Sequence, residues 1–484
     1  MNSTQQHPAL VLHPLPYLAD SLQYFHTIAA QLPMPLILQS DITPQRATST
    51  TEPRGRFDII TAAPEFTLQT HGGSIQWFGT KPTVDSSTDS FSTLHAVVIE
   101  MLTTNVDFSA ATQHELPFCG GLIGYCSYDL AREYAPLTTG AKQDIDIPDM
   151  QFSFYGWACI QDHKKQQSWL LIHPQCNKEI AQTLPTILLS HTSSTNNYLE
   201  QRFSSEFVSN MAKSEYTEKF STIQEYICAG DCYQINFAQR FSCRTTQTPL
   251  ELYQHLREVM PSPFCAFIPI YGREDNAILS FSPERFVQLD TNGVATSQPI
   301  KGTISRQADT QQDQQAALTL QKDPKNLAEN LMIVDLLRND FGKVCEIGSV
   351  NVKKLFELQS FSNVHHLVST IEGKLNTEYN GADLLQACFP GGSITGAPKL
   401  RAMQIIDEVE PHRRSIYCGS IVLYSAHGAM DSNIMIRTLL FNEGNLFCWG
   451  GGGIVADSES DNEYQESLTK VQTLLNALQG NHRQ

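Results

Sequence analysis

Cysteine pairs at metal-ligand spacing, long apolar runs and an excess of basic residues are all absent from this sequence. Its twelve cysteines include no Cys-x-x-Cys pair, which argues against a structural zinc site. No run approaches the ~18 apolar residues that cross a membrane, so we expect no membrane span. The chain has 33 Lys and Arg against 50 Asp and Glu, a net charge of −17, which argues against binding to nucleic acid.

The first twenty residues, MNSTQQHPALVLHPLPYLAD, also lack the basic start and apolar core of a secretory signal. Together with the scattered cysteines, this favours a cytoplasmic protein with reduced thiols. In so acidic a protein, an anionic substrate must be held by a few local basic residues. Those residues are therefore the first candidates for a functional site.

Composition divides the 484 residues into three segments. Residues 1–190 contain many short alternating runs, such as FDIITAAPEFTLQTHGGSIQWFG, which predict a β-rich region. Residues 191–212 form a Ser/Thr/Asn-rich connector, and residues 213–480 mix helices with strands. Because strands do not alternate regularly with helices, we predict an α+β fold with large antiparallel sheets.

One lysine, in the stretch SQPIKGT, has an unusual setting. Lys301 lies between a Pro-Ile pair and a Gly-Thr pair, with no other charge within three residues. Upstream, Glu284 follows a proline in FSPERF, and a turn at Asp290–Gly293 predicts a hairpin that brings the two residues together at its open end. An amine and a carboxylic acid so placed can act as nucleophile and general acid. A surface ion pair at the end of a hairpin is the alternative.

The stretch AENLMIVDLLRNDFGKVC predicts a helix that packs on the core. We assign its apolar face to Leu327, Leu331, Val334 and Leu337. Glu329 lies off this face, and taken alone it is typical of a solvent-exposed helix residue.

The C-terminal run CWGGGGIVADSESDNEYQESLTK combines four glycines with a charged helix. Gly450–Gly453 are expected to end a strand where the backbone must approach another group closely or bind an anion. Glu463, Glu466 and Lys470 then share one face of a helix. With Glu329, these carboxylates suit Mg²⁺, and Lys470 would bind an anionic group beside it. A charged helix facing solvent is the alternative.

Two further features favour carboxylate binding. The glycines of FPGGSITGAPKLRAM resemble a phosphate loop, but Ala397 and Pro398 break that pattern, so the start of the following helix is expected to face a carboxylate instead. Arg437 interrupts the apolar strand that NIMIRTLL predicts, and an Arg inside a core normally has a charged partner. That partner is either a ligand carboxylate or a structural Asp or Glu.

Taken in order, these motifs resemble those of the chorismate-utilising enzymes. The matching stretches are SPERF, PIKGT, AENLMIVDLLRND, HHLVSTIEG, GGSITGAPKLRAMQIIDEVEP, MIRTL and GGGIVADS followed by EYQESLTK, with weaker matches in LILQSD and GRFDIITAAP. The resemblance implies large antiparallel sheets packed as a sandwich with helices on the outside, as in anthranilate synthase component I. The resemblance also implies that residues 213–480 form the chorismate-binding catalytic domain.

Two positions indicate which reaction the resemblance implies. Members of the family that activate water carry a lysine where CYQINFAQRF has Gln234, so water addition is not expected. Members that form anthranilate usually read P-I-A-G-T, whereas members that aminate chorismate at C4 read P-I-K-G-T, as this chain does. The implied product is 4-amino-4-deoxychorismate, on the route to 4-aminobenzoate and folate.

The resemblance also implies roles for individual residues. Mg²⁺ would be held by Glu329 and Glu466, with Glu463 in support. Lys301 would attack C2 of chorismate while Glu284 protonates the departing 4-hydroxyl, and ammonia would then displace the lysine at C4. The other substrate-contacting positions would be His366, Ser393, Tyr417, Arg437, Gly451, Gly453 and Lys470.

The same resemblance implies partners and leaves alternatives. No Gly-x-Cys-x-Gly elbow with a following His-x-Glu is present, so ammonia would come from a separate glutamine amidotransferase subunit in a heterodimer, or from solution. Ser40 falls near the position where relatives bind tryptophan, and Asn326 stands where relatives often have an acidic residue. Anthranilate synthesis, or chorismate or tryptophan binding without catalysis, are the alternatives.

Overall fold

Strands make up much of the chain, as its alternating apolar and β-branched runs favour. A computed structural model describes residues 7–40, 55–84, 89–137, 140–190, 205–273, 275–307, 309–360 and 364–479. In chain order the strands are β1 (Val11–Leu15), β2 (Leu36–Gln39), β3 (Phe57–Thr61), β4 (Phe66–His71), β5 (Ser74–Gly79), β6 (Gly121–Cys126), β7 (Met150–Tyr155), β8 (Trp157–Asp162), β9 (Gln167–Ile172), β10 (Val208–Ser209), β11 (Gln234–Arg244), β12 (Phe264–Pro269), β13 (Ala277–Ser282), β14 (Arg285–Leu289), β15 (Val294–Ser297), β16 (Ile300–Ser305), β17 (Asn351–Ser360), β18 (Val364–Lys374), β19 (Gly396–Ala397), β20 (Ser420–Ser425), β21 (Met430–Asn433), β22 (Thr438–Asn442) and β23 (Asn445–Ile454).

These strands form two large antiparallel sheets. The first sheet has 12 strands in the order β1-β9-β8-β3-β2-β12-β13-β22-β23-β11-β10, with β19 beside β11. The second has 11 strands in the order β16-β18-β15-β14-β21-β20-β6-β7-β4-β5, with β17 beside β18. Because β2 pairs with β12 and β6 pairs with β20, both sheets contain strands from residues 1–190 and from residues 213–480. The predicted division at 191–212 stays a prediction, and residues 191–204 lie outside the described ranges.

Helices accompany the sheets. In chain order they are α1 (Leu22–Ala29), α2 (Ser90–Leu102), α3 (Ser109–Gln113), α4 (Lys178–Leu189), α5 (Lys213–Cys228), α6 (Pro249–Val259), α7 (Thr310–Lys322), α8 (Pro324–Gly342), α9 (Gly381–Cys388), α10 (Lys399–Val409) and α11 (Ser460–Gln479). None of the described helices is both long enough and apolar enough to cross a membrane. None of the twelve cysteines, all of which lie within the described ranges, forms a disulfide.

Three apolar cores within the described residues hold these layers together, and the two larger ones join sheet to sheet and helix to sheet. In the largest core, Ile160 and Ile278 of the first sheet pack in one cluster with Leu122 and Phe152 of the second sheet. In the second core, side chains of α6 and α11 pack with residues of the first sheet such as Phe281. Burying each of these side chains contributes about 1.5–3 kcal/mol to folding, so the layers are fixed mainly by apolar contact.

The helix predicted around Glu329 is present as α8, but its buried face differs from the prediction. Leu331 is 46 % exposed and Leu327 is half-buried, so assigning both to the core was wrong. Buried polar residues take part of their place. Asn330 accepts a hydrogen bond from Ser369 Oγ at 2.6 Å. The buried face of α8 therefore combines Asn330 with Val334 and Leu337, the two residues of the predicted face that are buried.

Candidate active site

A β-bulge sets the position of Lys301. Lys301 pairs with Leu367 across β16 and β18, the register then shifts, and Gly302 is the extra residue. Gly302 has φ +81°, and a Cβ there would lie 3.0 Å from Leu320 Cδ1 and 3.1 Å from Asn326 Oδ1. A glycine is therefore required at this position. Bulges redirect neighbouring side chains, so the bulge at Gly302 helps to set the direction of the Lys301 side chain. This explains why a glycine follows the lysine in the sequence.

Lys301 and Glu284 meet at Ser393. Lys301 Nζ donates to the Ser393 carbonyl oxygen at 3.4 Å, and Ser393 Oγ donates to Glu284 Oε1 at 3.2 Å. Ser393 lies on a short 3-10 turn, while Glu284 lies in the link between β13 and β14. Three separate parts of the chain thus bring an amine and a carboxyl group to one residue. Glu284 and Ser393 are each 8 % exposed, so these groups are largely shielded from water.

The route that brings them together differs from the predicted hairpin. The turn after Asp290 does join β14 to β15 as an antiparallel pair. However, β13 belongs to the first sheet, whereas β14 belongs to the second, and β16 pairs with β18. Glu284 therefore lies where the chain crosses between sheets, and a single open hairpin end was the wrong description.

Arg437 lies close to Glu284 but outside any strand. It immediately precedes β22 with φ +50°, so the prediction that it interrupts a strand was wrong. Desolvation by surrounding atoms lowers the pKa of the Arg437 guanidinium, and the charge of Glu284 opposes this shift. The side chain nevertheless remains open to solvent, so an anionic ligand can reach it.

Three glutamates from two helices form the second half of the site. Glu329 comes from α8, and Glu463 and Glu466 come from α11. Glu463 Oε1 accepts a hydrogen bond from Ser458 Oγ at 2.6 Å, while its Oε2 is buried without a hydrogen-bond partner among the described residues. Lys470 Nζ lies 2.6 Å from Glu466 Oε1 and donates to the Gly451 carbonyl at 2.9 Å.

The pKa shifts show that these carboxylates interact with one another. Desolvation is the main cause that raises the pKa of Glu329, and the charges of the two other glutamates add to the rise. The positive charge of Lys301 acts in the opposite direction. Desolvation likewise raises the pKa of Glu463, and Glu466 adds to the rise. For Glu466 desolvation is again the largest single effect, but Lys470, Lys301 and Lys325 act against it and the pKa is lowered. Because Lys301 acts on both Glu329 and Glu466, the amine and the carboxylates belong to one site.

The glycine run explains how α11 comes so close to the sheet. Gly450–Gly453 form the last part of β23, which pairs with β11 and ends one residue later at Ile454, in agreement with their predicted position at the end of a strand. A Cβ on Gly450 would overlap the Ser467 carbonyl oxygen of α11. A Cβ on Gly452 would lie 3.1 Å from Glu463 Oε2 and 3.2 Å from Glu466 Oε1. The predicted close approach is therefore made by the acidic helix itself.

The remaining predicted positions border this site or lie apart from it. His366 Nδ1 lies 2.8 Å from Thr303 Oγ1, just past the Lys301 bulge. The Tyr417 ring stacks on Trp449, which precedes the glycine run. A Cβ on Gly453 would lie 2.6 Å from Nε2 of Gln234, whose buried amide has no hydrogen-bond partner in the described ranges.

Ser40 is used within the fold. It is buried, its Oγ donates to the Phe57 carbonyl at 2.8 Å, and its backbone N–H donates to Asp58 Oδ1 at 2.7 Å. Its predicted role in binding tryptophan stays a prediction.

Lys325 is a site residue that the sequence analysis missed. It stands at the start of α8, four residues before Glu329, and its Nζ lies 3.7 Å from Glu463 Oε1. The spacing of Lys325 and Glu329 on one helical face was the signal that could have pointed to it.

The acidic residues suit a hard cation by their chemistry. Carboxylate oxygens are the preferred ligands of Mg²⁺, and the buried, unpartnered Oε2 of Glu463 is a vacant acceptor of that kind. No three acidic, His or Cys side chains of the described residues already converge as tightly as a bound metal requires.

Comparison with known proteins relates this geometry to a family. Residues 50–476 match the family model described as chorismate binding enzyme. The chain belongs to this family. The chain is 41 % identical over 476 residues to aminodeoxychorismate synthase component 1 of Klebsiella aerogenes, covering 98 % of this chain and 99 % of that protein. It is also 41 % identical to the protein of the same name from Escherichia coli strain K12, covering 95 % and 96 %.

A solved relative confirms the predicted fold class. The crystal structure of anthranilate synthase component I from Streptococcus pneumoniae TIGR4 superposes with a TM-score of 0.76 at 31 % identity, covering 90 % of this chain and 95 % of that chain. Its family likeness and the two antiparallel sheets agree with the α+β architecture that the motifs predicted.

Proposed function

We propose that this protein aminates chorismate at C4 to give 4-amino-4-deoxychorismate. The observation that carries the proposal is the meeting of Lys301 and Glu284 at Ser393, where the charge of Lys301 also acts on Glu329 and Glu466. An amine, a shielded carboxyl group and an acidic cation site are the groups that this substitution needs. The two relatives named aminodeoxychorismate synthase component 1, similar over nearly the whole chain, support the same reaction.

Glu329 and Glu466, with Glu463 in support, would hold Mg²⁺ against the ring carboxylate of chorismate. When bound, this ion supplies electrostatic polarisation of the carboxylate-bearing diene. Arg437 would bind the carboxylate of the enolpyruvyl group, because its guanidinium is open to solvent and partly desolvated. Lys470 and the backbone of Gly451 and Gly453 would line the same pocket.

Lys301 and Glu284 would perform the two bond changes. The neutral amine of Lys301 attacks C2, the ring double bonds shift, and the C4–O bond breaks as Glu284 gives its proton to the departing hydroxyl. Ammonia then attacks C4, the double bonds shift back, the lysine leaves C2 as a neutral amine, and a proton from the new C4 ammonium group returns to Glu284. Two successive displacements thus replace oxygen by nitrogen and return the lysine free.

Ammonia would come from a glutamine amidotransferase subunit. The word component in the names of the relatives implies a second component, and no glutaminase motif is present in this chain. We propose a heterodimer in which this chain is the synthase subunit and free ammonium can replace the partner.

Product identification tests the reaction. The purified chain is incubated with chorismate, Mg²⁺ and excess ammonium, and the products are separated and identified by mass. We expect aminodeoxychorismate, which an added lyase would convert to 4-aminobenzoate. Anthranilate with pyruvate would show the reaction of the sister enzyme, and unchanged chorismate would favour binding without catalysis. Either result would overturn the proposal.

A further inference from the structure

A third lysine faces the acidic cluster, in addition to Lys301 and Lys470. The charge of Lys325 acts on Glu329, on Glu463 and on Glu466. We propose that Lys325 is an exchangeable counter-ion, which balances the three carboxylates before the cation binds and is displaced when it arrives. This role rests on the cation site proposed above.

The position of Lys325 costs α8 some stability. The amino end of a helix carries a partial positive charge, which favours acidic residues and disfavours lysine. The first turn of α8 contains Lys325 and no acidic residue. A lysine in this unfavourable position is explained by the carboxylates that it faces.

Of the three lysines, Lys325 is held least firmly. Lys470 lies 2.6 Å from Glu466 Oε1 and also donates to a backbone carbonyl, and Lys301 Nζ donates to the Ser393 carbonyl. By contrast, Lys325 Nζ lies 3.7 Å from Glu463 Oε1, and its side chain is 44 % exposed. It can therefore swing into solvent without breaking a short contact.

The balance of charges explains why one lysine has to move away when a divalent cation binds. Three glutamates and three lysines have no net charge when all are ionised, and a divalent cation would add two positive charges. Repulsion between the cation and a lysine this close opposes binding. Glu463 Oε2, which has no hydrogen-bond partner among the described residues, becomes a ligand once Lys325 leaves the neighbouring oxygen.

Lys325 therefore sets how strongly the empty site attracts a cation. Without its charge, the three carboxylates would bind Mg²⁺ more tightly, because no ammonium has to be displaced. From one unit charge at this range in a partly exposed setting, we expect the dissociation constant to fall by about three- to tenfold.

Direct measurement of cation binding tests this role without relying on catalysis. Mn²⁺ is titrated into the whole protein and followed by electron paramagnetic resonance, and Mg²⁺ binding is measured by competition. Lys325→Gln is compared with Lys325→Arg, which keeps the charge. Lys322→Gln is the matched control, since it removes the same charge from an exposed position at the end of α7.

We expect tighter Mn²⁺ and Mg²⁺ binding for Lys325→Gln, and wild-type affinity for Lys325→Arg and Lys322→Gln. Equal or weaker binding by Lys325→Gln, with saturable binding by the wild type, would overturn the counter-ion role and leave the cation site standing. An equal gain for Lys322→Gln would show a general charge effect and also overturn it. Absence of saturable binding by the wild type would overturn both the site and the role.

Discussion

Replacing Gly452 by alanine tests whether β23 lacks a side chain at this position so that the carboxylates of Glu463 and Glu466 can come close to the strand. The new methyl group would lie 3.1 Å from Glu463 Oε2 and 3.2 Å from Glu466 Oε1, closer than ordinary van der Waals contact. Both oxygens are at the ends of side chains, so they can yield by a few tenths of an ångström. The change thus moves the proposed cation ligands and leaves the sheet in place.

The alanine is expected to change folding stability only slightly but Mg²⁺ binding considerably. Gly452 has no positive φ, so alanine fits its backbone, and the loss of freedom in the unfolded chain stabilises the fold by about 0.4–1 kcal/mol. Shifted ligands and their supporting contacts typically weaken metal binding by about 10–100-fold. We therefore expect Gly452→Ala to weaken Mg²⁺ binding about tenfold while its melting temperature stays equal or rises slightly.

Calorimetric Mg²⁺ titration and thermal unfolding of the same samples give both quantities. Gly450→Ala is the control, because its methyl group would overlap the backbone carbonyl of Ser467, which cannot yield without moving α11. That variant should lose about 1–3 kcal/mol of stability. If Gly452→Ala bound Mg²⁺ as tightly as the wild type, the glutamates above Gly452 would not be the cation ligands.

Three further predictions concern single residues. Glu284→Gln should lower kcat by about 10²–10⁴-fold with little change in chorismate KM, because glutamine still accepts the Ser393 hydrogen bond but cannot supply a proton; steady-state kinetics with ammonium would show it. Arg437→Gln should raise chorismate KM by roughly 10–100-fold through loss of a charge-assisted contact, whereas an unchanged KM would remove Arg437 from the pocket. Burial lowers the pKa of His173 from 6.5 to about 4, so the unfolded state binds the extra proton first. The stability that His173 contributes is complete above pH 6.5 and falls by up to about 3 kcal/mol towards pH 4, which urea unfolding of wild type and His173→Asn at several pH values would measure.

Motifs predicted the reacting groups better than the paths that join them. Lys301 and Glu284 were identified from their local frames, and the structure brings both to Ser393. Their meeting depends on a crossing between two sheets after β13, which no local pattern encodes. Pairing between strands far apart in the chain is fixed by the whole core. The turn therefore predicted the pairing of β14 with β15 correctly, but not the positions of the strands beyond them.

Helical periodicity failed where polar residues are buried. The face predicted for α8 used its leucines, yet Asn330 is buried by its bond to Ser369, and Leu331 faces solvent. Apolar patterns cannot show that a polar side chain has found a partner. The glycine run is the opposite case: its need for a close approach was evident from composition, but which carboxylates approach Gly452 was visible only in the structure.

The most direct test of the account is a search for chorismate bound covalently to Lys301. The protein is mixed with chorismate and Mg²⁺ without ammonia, quenched, and measured by intact and peptide mass spectrometry, with Lys301→Arg as the control. We expect an adduct with the mass of chorismate less one water, confined to the peptide that contains Lys301 and absent from the variant. If the wild type showed no adduct in a preparation that turns over when ammonium is added, the amination would not pass through this lysine.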